Sequence, residues 1–406
     1  MTPWRWAIQH LYHRTRRTLT ALAGIAFVSL LLFVEMGFLR GVDRTASLLF
    51  DQLRFDLLMT SSEYEDLSRT TVFPRCRLAQ AHAAAGVEAV IPLSLGFADW
   101  RLPTPQSWFG STSAGAVSSI AVLALPPEWL PQAFACGPDG VFADRDHAQQ
   151  AATWLARRHY FLFDQCSKPE YGSATYWMEQ SLTPSPIDPP VLNDQRAWIA
   201  GSFRLGTGFC WNALLLTADT TLGDYLPLPA DAIHFGLIQL RPGSDPLHVQ
   251  AQLQTVLPPD VRIWTREQII ASERRYWVQL TSVGQFLTVA VALVVLVGII
   301  CVYQMMAADV RSMWSEYATV KAIGHRPRFA TTMVLCQATL LGIGGWLPSY
   351  AAATVLYRLS FDYGGIPAEI TPLILITTAT LTIGICWFSG LLALRHVHAS
   401  DPADLF

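Results

Sequence analysis

Charge is scarce in this chain of 406 residues: acidic and basic side chains together make up 15% of it, against roughly a quarter in soluble domains. Lysine is nearly missing, present only at Lys168 and Lys321, so arginine carries almost all of the 28 basic residues. A net charge of -3, with no basic cluster beyond Arg14, Arg16 and Arg17, excludes nucleic acid as a partner. Phosphate-binding chemistry is missing too. A P-loop sets Gly-Lys-Ser/Thr after a glycine-rich turn, but Lys168 follows Cys166-Ser167 and Lys321 follows Thr319-Val320. ATP hydrolysis by that route is excluded. Gly-x-Ser-x-Gly, His-Glu-x-x-His and Cys-x-x-Cys are all absent, so no catalytic residue, cofactor site or metal site is expected. His10, His13, His396 and His398 read as solvated flank residues.

What the chain has is long apolar runs. A bilayer core of roughly 30 Å takes about 20 helical residues. Four segments meet that length: Leu19 to Leu39, Val283 to Met306 inside a charge-free stretch between Arg275 and Asp309, a third between Arg328 and Arg358, and a fourth between Glu369 and Arg395. The first is too long for a signal-peptide core and passes into Glu35-Met36-Gly37-Phe38-Leu39-Arg40, so it reads as an uncleaved anchor. Arg5, Arg14, Arg16 and Arg17 precede span one, Arg311, Lys321, Arg326 and Arg328 separate spans two and three, and Arg395 follows span four. Basic flanks stay inside, which places both termini in the cytoplasm and the long segment after span one outside. Glu35 lies toward the outer end of its span, where snorkelling or pairing with Arg40 outweighs a proton relay. Gly342, Gly344, Gly345 and Pro348 in span three permit close helix approach and a kink.

The fold class that follows is an α-helical membrane protein with four transmembrane helices plus a large periplasmic α+β domain. Residues 1–42 hold an interfacial helix (Trp4, Ile8, Leu11, Tyr12, Thr15 on one face, or else a plain basic flank) and span one. Residues 43–277 form the outer domain and 278–406 carry spans two to four. Within the outer domain, strand signals at Phe55–Met59 and Val87–Leu95 flank a helical Arg77–Ala85. A second such unit has strands at His234–Leu240 and Val261–Thr265 around a helix starting at Pro242-Gly243-Ser244-Asp245-Pro246. Residues 43–125 and 230–277 are therefore read as one subdomain, interrupted by an inserted one at 126–229. Seven cysteines are present. Four fall outside the membrane, where disulfides form; either they are buried thiols or at least one bridge exists, with Cys136–Cys166 the favoured pair.

The loop between spans two and three, 307–328, reads as a short amphipathic helix. Val310, Met313, Trp314 and Tyr317 line its apolar face, Glu316 and Thr319 its other side, and Gly324 with Pro327 ends it. Such a helix can be a lever that a partner pushes or a helix lying on lipid. Ser315-Glu316-Tyr317-Ala318-Thr319-Val320-Lys321-Ala322-Ile323-Gly324 resembles the coupling segment of FtsX-domain permeases, closest to the DevC-like branch of the MacB/FtsX type. Arg17-Thr18-Leu19-Thr20-Ala21, Phe33-Val34-Glu35-Met36-Gly37-Phe38 and the ending Asp401-Pro402-Ala403-Asp404-Leu405-Phe406 resemble the same family.

The resemblance implies a bacterial inner-membrane ABC exporter permease that is itself non-catalytic. It implies a homodimer, two copies of a separate ABC ATPase docked on Val310, Met313, Trp314, Glu316, Tyr317, Thr319, Lys321 and Gly324, and a periplasmic membrane-fusion adaptor with an outer-membrane channel. It also implies a porter-like subdomain with an insertion, and a lipid or other hydrophobic cargo. The alternative within the family is an FtsX-like regulator of a periplasmic cell-wall hydrolase.

Overall fold

A computed structural model describes residues 8, 15–69, 71–102, 117–182, 189–312, 327–364 and 370–399. In chain order, the principal helices are α1 (Thr15–Ala46), α2 (Leu48–Gln52), α3 (Cys76–His82), α4 (Pro246–Val256), α5 (Arg266–Arg275), α6 (Ser282–Ser312), α7 (Pro327–Gly364) and α8 (Pro372–Ala399). The principal strands are β1 (Leu57–Ser61), β2 (Val87–Arg101), β3 (Ser118–Leu125), β4 (Tyr160–Asp164), β5 (Trp198–Phe203), β6 (Leu214–Ala218), β7 (Phe235–Leu240) and β8 (Val261–Thr265). The chain divides into two compact units: Met1–Gly41 with Thr281–Phe406, and Val42–Leu280.

In the first unit, α1, α6, α7 and α8 each contain a stretch long and apolar enough to cross a membrane. All four expected spans are found. Lipid tails offer no hydrophobic drive between helices, so small residues and side-chain hydrogen bonds hold such a bundle together. Span three does this against span one. A Cβ on Gly345 would lie 2.6 Å from Ile25 Cγ2 and 3.1 Å from the Ala26 nitrogen, and one on Gly344 would lie 2.8 Å from Leu22 Cδ2. The Ser349 hydroxyl reaches the Ala26 carbonyl at 2.7 Å, and the Tyr357 hydroxyl donates to the Phe33 carbonyl. Ser29 meets Thr382 at 3.0 Å, and the Trp346 indole donates to Thr378 at 3.2 Å, fastening α8 to α1 and α7. Pro348 sits inside the 38-residue α7, a helix about 57 Å long at 1.5 Å per residue and so longer than a bilayer requires. Glu35 is half-buried, and its Oε2 is sealed from solvent with no hydrogen-bond partner among the described residues. The interfacial helix expected before span one lies outside the described residues, apart from Ile8 and Thr15.

The second unit is built on a ten-stranded sheet whose main path runs β8-β1-β7-β2-β3-β6-β4-β5. Its first four strands are mutually antiparallel neighbours. With α3 between β1 and β2, and α4 between β7 and β8, they form two interleaved split βαβ units. The sequence reading of both units holds, with strand and helix ends shifted by at most three residues and one exception. Strand β2 runs six residues further than expected, through Arg101. Its residues 87–93 pair with β7, and residues 94–100 pair antiparallel with β3. β3 ends at the boundary expected at 125/126 and is bonded to β6 within the insertion, so the sheet is continuous across it. β3 pairs in parallel with β6, and β4 in parallel with β5.

Two-residue periodicity assigns each strand face to its core. Along β3, Ala121, Leu123 and Leu125 enter one cluster with Leu49, Phe50, Phe134, Phe142 and Leu155. Ile120, Val122 and Ala124 enter another with Trp100, Phe163, Tyr171 and Trp177. A third cluster seals α3 and α4 on the split βαβ face, through Leu78, Ala81, Val249 and Leu253. The expected start of α4 is confirmed in detail: Asp245 caps it by accepting from the Leu247 N–H at 3.2 Å, Pro246 stands in the first turn, and Gly243 takes the left-handed conformation of the turn (φ 89).

Candidate transmission site

The chain enters the outer unit at Val42, at the end of α1, and leaves it through α5 and a π-helical turn, Tyr276–Leu280. Within that unit the two connections are tied to each other, and the tie begins with one arginine. Arg266, in the first turn of α5, donates to the carbonyls of Leu53 at 2.6 Å and Asp51 at 2.9 Å. These are carbonyls at the C-terminal end of α2, which have no intrahelical partner and so need an outside donor. Thr265 and Gln268 close a capping box that fixes where α5 starts.

At the other end of α5, Arg274 donates to the Ser47 hydroxyl from Nε and Nη2, at 3.2 Å each, and lies 3.9 Å from Asp43 and 4.0 Å from Asp51. Ser47 in turn donates to Asp51 at 2.8 Å. Pairs this exposed contribute little stability; their effect is orientation, because one fork spans both connections.

A loop from the inserted part closes over the joint. Gly206 (φ 117) approaches Leu48 and Gly208 approaches Thr45, where an added Cβ would lie 2.8 Å from the threonine Cβ. Trp211 locks the loop by donating to the Gly206 carbonyl at 3.0 Å. Phe209 of the loop stands over Trp277, ring centroids 6.3 Å apart.

Beneath this lies a buried acid. Ile269 and Glu273 are one helical turn apart on α5 and share its inward face, and both are fully buried. The Tyr64 hydroxyl donates to Glu273 Oε1 at 2.5 Å. Desolvation is the main reason the Glu273 carboxyl is pushed up to about 8. Tyr64 and Cys210 beside it are driven up by burial as well. Sequence reading missed this acid because five of the ten residues of α5 are charged, which looks like a solvated face. The only signal was the spacing of Glu273 from Ile269.

The residues expected to contact a partner are distributed differently. Val310 is buried in the membrane unit, packed with Val302, Met306 and Ala307 of its own helix and with Val334 and Leu394. Met313, Trp314, Glu316, Tyr317, Thr319, Lys321 and Gly324 lie outside the described residues. Cys136 and Cys166 are free thiols, so the bridge expected between them is not formed here. Each faces its own surroundings: the Cys136 thiol faces the Phe134 carbonyl at 3.8 Å, and Cys166 sits in a turn held by Asp164. No group of three or more histidine, cysteine, aspartate or glutamate side chains suited to a metal occurs among the described residues.

Residues 288–402 match the family model described as FtsX-like permease C-terminal. This stretch is an FtsX-like permease domain. It comprises most of α6, the connecting loop, α7 and α8, and its apolar helices make the chain a membrane protein. No curated protein matches the chain in sequence. Among solved structures, the chain is similar to the periplasmic region of MacB from Actinobacillus actinomycetemcomitans, at 9% identity and a TM-score of 0.32, over 53% of this chain and 91% of that one. It is also similar to the extracellular domain of the noncanonic ABC-type transporter YknZ from Gram-positive bacteria, at 11% identity and a TM-score of 0.32, over 52% and 99%. A likeness at that identity and score carries no functional argument; the FtsX-like domain does.

Proposed function

We propose that this chain is the permease subunit of an ABC exporter of the MacB/DevC type. The single observation that carries the reading is the FtsX-like domain over residues 288–402, because it includes the segment 313–326 between α6 and α7. In this reading a separate ATPase binds that segment through Trp314, Tyr317 and their neighbours, and two copies of the permease form the working dimer. The basic flanks support a cytoplasmic loop and a periplasmic outer unit. Motion of the helices reaches the outer unit through α1 and α6, and the Arg266 and Arg274 ties make the two connections move together. The split βαβ half is the porter-like part, with the insertion built on the second half of β2. The outer unit handles a lipid or other hydrophobic cargo, passed on to a periplasmic adaptor and an outer-membrane channel.

The test is retention of the ATPase. Large aromatics supply most of the energy of small interfaces, so Trp314→Ala removes a contact of about 2 kcal/mol or more. The ATPase then binds roughly thirtyfold more weakly, while the permease still inserts. Co-purification from matched membranes across a dilution series reads the difference. Equal recovery with the wild type and the variant, under dilution that dissociates the wild-type complex, refutes docking at this residue.

A further inference from the structure

The buried acid at the neck of the outer unit costs stability that an apolar side chain of similar size would not. An isoleucine or leucine in that position would fill the same space without burying a carboxyl. Its surroundings are specific. From the loop after β1, Tyr64 donates to Oε1, the Leu67 backbone N–H faces the carboxyl, and Asp66, itself fully buried, acts on it electrostatically. Trp277, in the π-helical turn, presents its indole to the same carboxyl, whose Oε2 is also sealed from solvent. Cys210, in the closing loop, feels both acids. Asp66 holds Ser68 through its backbone N–H at 2.8 Å and its hydroxyl, and Tyr276 faces Asp66, with Glu65 and Arg69 beyond. Arg274, the next residue on α5, turns to Asp43 and Asp51 instead. Two acids are thus enclosed together where the loop 64–68, the closing loop and the exit of the chain meet. π-Helical turns of this kind recur at functional positions.

We propose that Glu273 is a proton-operated latch: neutral, it stays packed under Tyr64 and Trp277 and holds the 64–68 loop on α5; ionised, it leaves and loosens the neck. The latch stands on this geometry whatever the partner of the chain, whereas its use in gating export rests on the permease reading. The direction follows from the raised carboxyl, about 8 against a reference of 4.5. The closed neck binds the proton more tightly than the opened one, so its closure is complete below about pH 4.5, weakens as pH rises and is lost through about pH 8. The ligand is the proton, and alkaline conditions outside the cell open the latch.

The experiment is hydrogen exchange read by mass spectrometry on the full-length permease in lipid discs, without ATPase, from about pH 5 to about pH 9. Rates are corrected for intrinsic base catalysis using peptides of β3. Peptides covering residues 62–69 and 266–280 lose protection in the wild type with a midpoint near the raised carboxyl value. Glu273→Gln, a neutral isostere, stays protected across the range. Asp66→Asn removes the second acid and moves the midpoint down, and Tyr64→Phe removes a donor to the carboxylate and moves it up, each by roughly one pH unit. A wild-type neck with no transition overturns the latch. So does a Glu273→Gln profile that matches the wild type, or the same shift from both flanking variants. Failure of ATPase binding leaves these readings intact, which separates this proposal from the permease reading.

Discussion

Asp164 shows how a single side chain can organise a turn in the inserted part of the outer unit. It is fully buried, and its carboxylate accepts from the backbone N–H groups of Cys166 and Leu205, both at 3.1 Å, and Gly206 at 2.8 Å. Burial pushes this carboxyl up, while the three N–H groups and Arg204 pull it down. Gly206 then carries the loop that closes over α2. Asp164→Ala leaves three N–H groups without an acceptor, at about 1–3 kcal/mol each if they stay buried. The expected loss is about 3 kcal/mol after partial relaxation, with looser packing at Leu48, and Asp164→Asn loses less because one oxygen remains. Urea unfolding followed by tryptophan fluorescence checks this, and a change under 1 kcal/mol for the alanine variant contradicts it. Asp164 and Glu273 show the limit of sequence reading at this scale. Both lie among residues that look solvated or loop-like, and only the fold decides which acids turn inward.

Among the elements, the spans were the most legible, because a run of about twenty uncharged, apolar residues suits a bilayer and little else. Strand β8 was read residue for residue, since Val261 to Thr265 is short and bounded by turn signals. Strand β2 was only half read. Its second half, through Trp100, is held by β3, and a pairing partner leaves no mark on a strand's own periodicity. The parallel pairing of β3 with β6, some ninety residues away, is invisible for the same reason.

Span three carried a legible packing rule in its glycines, and that rule gives a paired prediction. Gly345→Ala pushes into Ile25 and the span-one backbone, whereas a Cβ on Gly384 of α8 meets nothing within 4 Å. Overpacking of this kind costs roughly 1–3 kcal/mol. In detergent, Gly345→Ala should shorten the half-life on heating, and Gly384→Ala should leave it unchanged. Equal behaviour of the two variants would sink the close-approach account of α1 and α7.

At the scale of the whole molecule, the arginine flanks give an orientation that a fusion series can check. A reporter active only outside the cytoplasm should work after Leu130 and near Gly364, and fail near Arg326 and at the C-terminus. Activity near Arg326 would reverse the topology and remove the loop 307–328 from the reach of a cytoplasmic ATPase. The order of the four spans and the large unit between the first two was legible because hydropathy is a property of the chain itself. The neck was not, because Arg266, Arg274, Ser47 and Asp51 come together only through the fold, across more than two hundred residues.

In the proposed permease, ATP-driven motion of the FtsX-like domain reaches the outer unit through this neck. The most direct measurement is hydrogen exchange at residues 42–54 and 266–277 of the permease assembled with its ATPase, with and without ATP. Exchange at these peptides is expected to change with nucleotide in the assembled complex. No change is expected in the permease alone, or when Trp314→Ala weakens docking. Identical exchange with and without ATP, in a complex whose ATPase is turning over, would contradict it.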